Sequence, residues 1–289
     1  VVNQSSNSFS CDNQLPSSIL GYPASDYVND LTAITGFALD SPQASKVGRV
    51  DVEISRPAGA NPTQVWNGTN WVAYTGSFNT YVSVAGGYPN WTYNVPPAIN
   101  WSEGVYYQVK TRAVDTVGNK ESGTTYGVNE RAFYYDVSLP TATLVNVLED
   151  GVAAPFASRP YLHDIKQING AVSDYPDFPY GKLSTVKLKI ANLDKGCYWN
   201  DASGLWETNS TLENNVDLVS GWSFLYDQND FHVSWSTGSN LACNWINGGI
   251  FKFTVYSLDA AGNVETHPGG LNNVTVVYDP QKPLSSLTN

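Results

Sequence analysis

The segment "GVYYQVKTRAVDTVGN" at 104–119 has a relative, "IFKFTVYSLDAAGN", at 250–263. In both segments apolar and polar residues alternate, and the alternation ends in Asp, two residues, Gly and Asn. A period of two is typical of a half-buried β-strand, so every second residue from Tyr107 to Ala113, and from Phe251 to Ser257, shares one face. The two segments therefore predict equivalent strands, each followed by the same short connection.

The similarity extends over most of the chain and keeps the same order. Three further pairs of segments match: "ITGFALD" (34–40) with "INGAVSD" (168–174), "VGRVDVEI" (47–54) with "LSTVKLKI" (183–190), and "VWNGTNW" (65–71) with "YWNDASGLW" (198–206). Internal similarity of this kind indicates a structural unit that is used more than once.

The limits of the repeats carry a motif of their own, an Asp four residues before a Pro. It occurs at Asp12, Asp136 and Asp279. These limits predict four parts: the last strand of a preceding repeat (or a donated strand) at 1–15, whole repeats at 16–139 and 140–282, and the start of a further repeat at 283–289.

The composition restricts the class of protein. The 289 residues have a formal net charge of −11, and only 14% of them are charged, against roughly 25% in a typical globular protein. The negative charge argues against binding to nucleic acid, and no apolar run of about 18 residues is present that would span a membrane. Because methionine is absent, we expect a mature or internal piece of a longer chain, with a surface typical of an extracellular or cell-surface protein.

The predicted fold is all-β, with two tandem Ig-like β-sandwich domains joined by short Asp-x-x-x-Pro linkers. Short strands separated by Gly, Asn and Pro favour a sandwich, and no stretch has helical periodicity. The repeats are long for this fold, so we expect long loops around 55–100 and 191–244. The order of the motifs resembles the tandem Ig-like or fibronectin-III-like repeats of large bacterial cell-surface proteins. This resemblance implies a stalk, a filament or an adhesin spacer.

The Asp-x-x-Gly-Asn motif has two interpretations. As a structural turn, Gly118 and Gly262 supply a positive φ, and Asp115 and Asp259 accept backbone N–H groups. As a calcium site, carboxylates supply the oxygen ligands that Ca²⁺ prefers, and some repeats of the resembled kind bind calcium near their junctions. The second interpretation predicts that two trios converge: Asp40, Asp115 and Asp136 in the first repeat, and Asp174, Asp259 and Asp279 in the second.

Aromatic residues recur between the repeats and offer another site. Trp66 and Trp71 correspond to Trp199 and Trp206. Recurrence at fixed places favours packing, since aromatic side chains dominate core burial. The alternative is a carbohydrate-binding module that exposes these rings in the two turns.

Three cysteines are present, Cys11, Cys197 and Cys243. Cys197 and Cys243 both lie in the second repeat, which predicts a disulfide between them and an oxidising location. Cys11 is then either buried or linked to another chain.

The expected function is spacing, adhesion or filament formation without catalysis. The sequence has no nucleophile elbow, zinc-protease motif or phosphate-cradling glycine loop. The expected partners are neighbouring repeats of the same chain, with homopolymer formation or lateral self-association as a further expectation. An accessory domain of a secreted hydrolase is the alternative beside the carbohydrate-binding module.

Overall fold

The chain forms two compact units, Val1–Val137 and Ser138–Asn289. The boundary lies inside the Asp-x-x-x-Pro segment at 136–140. The computed structural model describes residues 11–40, 46–76, 78, 80–83, 89–150, 152–156, 160–175, 181–215, 223–225, 233–237, 243–266 and 272–281. The predicted start of a further repeat at 283–289, and residues 1–10 of the predicted first strand, lie outside the described residues.

The first unit contains ten described strands in two sheets. They are β1 (Ser17–Tyr22), β2 (Tyr27–Val28), β3 (Ala33–Leu39), β4 (Val47–Arg56), β5 (Gln64–Trp66), β6 (Trp71–Ala73), β7 (Thr80–Ser83), β8 (Asn90–Asn94), β9 (Tyr106–Asp115) and β10 (Glu130–Tyr135). One sheet has the order β1-β3-β8. The other has the order β2-β10-β9-β4-β5-β6, and β7 also pairs with β4. A short 3₁₀ turn spans Pro97–Ile99.

The second unit repeats this arrangement. Its strands are β11 (Thr141–Glu149), β12 (Val152–Pro155), β13 (Tyr161–Leu162), β14 (Gln167–Ser173), β15 (Leu183–Asn192), β16 (Cys197–Asn200), β17 (Leu205–Glu207), β18 (Asn214–Asn215), β19 (Ser223–Leu225), β20 (Val233–Ser236), β21 (Ile250–Asp259) and β22 (Asn273–Tyr278). The sheets have the orders β12-β11-β14-β20-β19 and β13-β22-β21-β15-β16-β17, with β18 on β15.

The predicted strand faces are confirmed. On β9 every second residue from Tyr107 to Ala113 has an exposed fraction of 0%, and the same is true from Phe251 to Ser257 on β21. These faces pack against apolar residues of the opposite sheet, such as Ile34 in the first unit and Ile168 in the second. Removing apolar surface from water is the main stabilising term, at about 25 cal/mol per Å². Each unit is therefore an Ig-like β-sandwich with its own core.

The segments predicted as long loops, around 55–100 and 191–244, in fact contain further strands. Each repeated tryptophan pair closes a hairpin, with Trp66 opposite Trp71 and Trp199 opposite Trp206. The ring centroids are 5.8 Å apart in the first pair and 5.6 Å apart in the second, and both pairs are edge-on. Such edge-to-face pairs stabilise beyond their burial, so the insertions extend the sheet.

No helix in the described part of the chain is long and apolar enough to cross a membrane.

Candidate metal centre

The loop after β9 is organised by the carboxylate of Asp115. Its Oδ1 accepts the backbone N–H groups of Val117 at 2.9 Å, Gly118 at 2.6 Å and Asn119 at 2.8 Å. Its Oδ2 accepts the side-chain amide of Asn119 at 2.8 Å. Gly118 has a φ of +105°, a conformation in which a Cβ is strained. The predicted structural role of the motif is confirmed in this loop.

The loop after β21 is built in the same way. Asp259 Oδ1 accepts the backbone N–H of Asn263 at 2.8 Å, and Oδ2 accepts its side-chain amide at 2.7 Å. Gly262 has a φ of +94°. Burial raises the pKa of the Asp259 carboxyl, and these hydrogen bonds oppose that shift. The hydrogen bonds from Asn263 therefore stabilise the charged form of Asp259, whereas its burial disfavours that form.

The loop aspartate Asp115 has two other aspartates of its own unit beside it. Asp12, Asp40 and Asp115 each have a carboxylate oxygen within 4.8 Å of the others. Asp12 precedes β1, Asp40 follows β3, and Asp115 ends β9. Asp40 and Asp115 are 8% and 5% exposed. In the second unit, carboxylate oxygens of Asp174 and Asp259 lie within the same distance of each other.

Of the predicted trios, Asp40 lies beside Asp115 and Asp174 lies beside Asp259, but Asp136 does not join Asp40 and Asp115. Asp279 is exposed and is not grouped with Asp174 and Asp259. The third member of the first trio is Asp12, which was predicted only as a boundary residue. Calcium binding by these residues stays a prediction.

The strand register explains the difference. β1 and β3 are antiparallel with Ser17 opposite Leu39, so the segment before β1 lies beside the residue after β3. β11 and β14 have the same register, with Thr141 opposite Ser173. The boundary residue Asp12 therefore lies beside Asp40, the residue that follows β3.

A second carboxylate recurs two residues after the Asn of each motif, at Glu121 and Glu265. It was not predicted as a functional residue. Glu121 accepts the backbone N–H of Ser18 at 2.9 Å, the hydroxyl of Ser18 at 2.6 Å and the backbone N–H of Ala113 at 2.9 Å. Glu265 likewise accepts the N–H groups of Ala142 at 2.8 Å and Ser257 at 3.0 Å. Each Glu thus joins the first long strand of its unit to β9 or β21. The extended motif Asp-x-x-Gly-Asn-x-Glu was visible in the sequence.

The residues of this trio fit a hard divalent cation. Ca²⁺ takes six to eight oxygens at 2.3–2.6 Å, so oxygens bound to one ion lie within about 5 Å of one another. Carboxylate oxygens of Asp12, Asp40 and Asp115 all lie within 4.8 Å of one another, which is compatible with binding to one ion. Backbone carbonyls and water would supply the remaining ligands.

The tryptophans of the sugar-binding alternative are not displayed for a ligand. Trp66 and Trp199 are 1% and 2% exposed. Trp71 and Trp206 pack against the cores, and their indole N–H groups donate to backbone carbonyls, at 2.9 Å and 3.3 Å. A ring that stacks on a sugar must show a face to solvent. Trp66 and Trp199 have none, and Trp71 and Trp206 are only partly exposed, which favours packing over sugar binding.

The predicted disulfide is also wrong, because Cys197 and Cys243 are free thiols, as is the exposed Cys11. Cys197 begins β16. Burial, and then the charge of Asp201 just beyond the far end of β16, raise the pKa of the Cys243 thiol. The oxidising location inferred from this bridge loses its support.

No protein family matches the chain, and no curated protein matches it. Among solved structures, domains A168–A170 of titin are 12% identical with a TM-score of 0.23; the match covers 92% of this chain and spans 66% of that one. The sialic acid binding region of a Streptococcus sanguinis SK1 adhesin, bound to 3'sLn, is 13% identical with a TM-score of 0.26, over 93% and 78% of the two chains. At these values the likeness carries no argument about function.

Proposed function

We propose that this chain is a non-catalytic structural segment of an extracellular, multi-repeat surface protein, and that its Ig-like units are spacers whose neighbouring aspartates bind Ca²⁺. The observation that carries the proposal is recurrence. The same pairing of the long strands, the same tryptophan hairpins and the same pair of neighbouring aspartates, Asp40 with Asp115 and Asp174 with Asp259, occur in both units. Features that recur in every unit serve the unit itself, whereas a dedicated substrate site needs a single copy.

The recurring polar side chains support a structural role because they are bound to the backbone of their own unit. Trp101 Nε1 donates to the carbonyl of Leu31 at 3.1 Å, and Trp245 Nε1 donates to that of Ile165 at 3.3 Å. Glu121 and Glu265 accept backbone N–H groups from two strands each. Buried polar groups that are satisfied in this way stabilise a fold.

Calcium would add a cross-link to the first unit. Asp12 lies in the segment before β1, Asp40 follows β3, and Asp115 ends β9, so one ion would join three separate parts of the chain. An ion that binds only the folded state stabilises it by about 2.7 kcal/mol at a hundred times its dissociation constant. The proposed role of calcium is therefore to stiffen the edge of the unit at β1.

The test is thermal unfolding of the whole chain with Ca²⁺, with Mg²⁺ and with a chelator, at matched ionic strength. We expect the melting temperature to rise by several degrees with Ca²⁺ and by less with Mg²⁺, which requires a smaller octahedral site. The same rise in a double variant, Asp40→Asn with Asp174→Asn, would place the calcium elsewhere. A melting temperature that does not change with calcium would contradict the calcium site but not the function as a spacer.

The spacer itself is tested by stretching single molecules held at the two chain ends. Two abrupt unfolding events, one for each unit, are the expected result. Gradual extension at low force would contradict a load-bearing role. A glycan array run in parallel addresses the sugar-binding alternative, and specific binding there would favour a carbohydrate-binding module on a surface other than the four tryptophans.

A further inference from the structure

The second unit has a hairpin that the described part of the first unit lacks. β11 and β12 are joined by two residues, because Glu149 and Val152 pair across the connection. Asp150, in that connection, has a φ of +49°, which Asp tolerates better than most residues. In the first unit the described chain passes from β1 directly to β2.

His163, just after β13, holds both carboxylates at the tip of this hairpin. Its Nδ1 lies 3.1 Å from Glu149 Oε1, and its Nε2 lies 2.8 Å from Asp150 Oδ2. Its backbone N–H also donates to Glu149 Oε1, at 2.9 Å. Both ring nitrogens donate hydrogen bonds only in the doubly protonated imidazolium. The geometry therefore suits the charged form of His163.

Among the described residues, the charged groups that act on the imidazole are the carboxylates of Glu149, Asp150 and Asp164. The hydrogen bond that His163 donates to the Asp150 carboxylate raises the pKa of His163, and the charges of Glu149 and Asp164 act in the same direction. Asp164 is itself paired with Lys166 at 2.9 Å. The sequence of β12 is Val-Ala-Ala-Pro, which has no titratable side chain. The carboxylates of Glu149 and Asp150 at the hairpin tip, and that of Asp164 beside the histidine, thus stabilise the imidazolium of His163.

We propose that His163 is a pH-sensitive latch: its imidazolium form fastens the tip of the β11–β12 hairpin to the segment at 163–166, and loss of one proton releases the tip. After that loss one ring nitrogen presents a lone pair to a carboxylate, and two acceptors repel each other. The side chain of Asp150 is 73% exposed and that of Glu149 is 3% exposed. Asp150 therefore separates first, while Glu149 keeps the backbone N–H of His163.

Release of the tip acts on an edge of the sheet. β12 is the outermost strand of its sheet and pairs with β11 alone among the described strands. An edge strand presents unpaired backbone groups that another strand can bind. In acid the latch holds this edge in one conformation, and above the pKa of His163 the hairpin tip moves more freely.

The test is NMR spectroscopy of the ¹⁵N,¹³C-labelled chain between pH 5 and pH 9. The expected results are a His163 pKa above the ordinary value of about 6.5, and an increase in fast backbone motion at Val152 and Ala153 through the same pH range. Asp150→Asn should lower that pKa, whereas the matched control Asp164→Asn should lower it less. In His163→Gln the hairpin motion should be independent of pH, with the fold checked by its melting temperature.

Two results would overturn the latch. One is a His163 that titrates at its ordinary value in the unmodified chain. The other is hairpin motion that does not change through the His163 titration, because then the ion pairs form without holding the tip. If His163→Gln fails to fold, the Asp150→Asn variant still decides, since it removes only the exposed partner.

Discussion

The indole ring of Trp91 lies directly against the Cα of Gly36, where a Cβ would stand. A Cβ built at Gly36 would be 2.7 Å from Trp91 Cε2, and it would also overlap Cζ2 and the carbonyl oxygen of Ile19. Gly170 and Trp235 have the same relationship in the second unit. Each sandwich thus has a buried ring that requires the absence of one side chain.

Gly36→Ala should therefore destabilise the first unit by about 3 kcal/mol, because the added Cβ would overlap both the buried Trp91 ring and the backbone carbonyl of Ile19. The matched control is Gly21→Ala, whose Cβ would meet nothing closer than 3.6 Å. The measurement is urea unfolding followed by circular dichroism. Equal stability of the two variants would show that Trp91 can move aside.

Asp40→Asn and Asp115→Asn separate the two roles of the aspartates. Asp115 organises its loop through three backbone N–H groups, so its replacement should cost about 1–3 kcal/mol even in chelator. If the proposed calcium site is correct, Asp40→Asn should instead abolish the calcium-dependent rise with a smaller loss in chelator. The measurement is the melting temperature of both variants in each solution. A calcium response that survives in Asp40→Asn would contradict the site.

The buried Glu265 predicts a pH dependence of stability. Burial raises the pKa of this carboxyl in the folded state, so between its unfolded and folded values the folded chain binds more protons. Stability then falls as the pH rises from the model-peptide value of about 4.3 through the raised value. Glu265→Gln removes this titration, so its stability relative to the unmodified chain should improve as the pH rises from 4 to 7.

The control for this prediction is Glu213→Gln, because Glu213 is exposed. Its stability relative to the unmodified chain should change little over the same range. Thermal unfolding at several pH values is the measurement. A relative stability of Glu265→Gln that falls with rising pH would show that the hydrogen bonds to the carboxylate outweigh its burial.

The free thiols predict that reductant has no effect on stability. Cys197 is partly exposed and Cys243 is buried, so a thiol reagent should modify Cys197 in the folded chain and Cys243 only after unfolding. Burial also raises the pKa of the Cys243 thiol, which lowers its thiolate fraction. Mass spectrometry after alkylation checks both sites. A melting temperature that falls on reduction would reveal the bridge that the structure lacks.

Much of the fold could be predicted from the sequence because its signals are local. Alternation on β9 and β21 identified the buried faces, and Gly118 and Gly262 identified the turns that need positive φ. The extra strands between β4 and β9 were missed. They are short, and only tertiary pairing, such as Trp66 opposite Trp71, holds them in place.

The candidate site was predicted less well, because it depends on which strands pair. The sequence shows that Asp40 and Asp115 recur as Asp174 and Asp259. It does not show that the segment before β1 lies beside the end of β3. The disulfide prediction for Cys197 and Cys243 was wrong for a similar reason, since two cysteines in the same repeat need not lie within bonding distance of each other.

The position of Asp12 has a consequence for how a single unit is isolated. The strands of the first unit begin with β1 (Ser17–Tyr22), but the first aspartate of its trio, Asp12, lies five residues earlier. The limits of the fold and of the aspartate trio therefore differ along the chain. A recombinant fragment that begins at Pro16 would keep every described strand of the first unit but would lack Asp12, the first of the three carboxylates. If its stability did not respond to calcium, the choice of the first residue would be the reason.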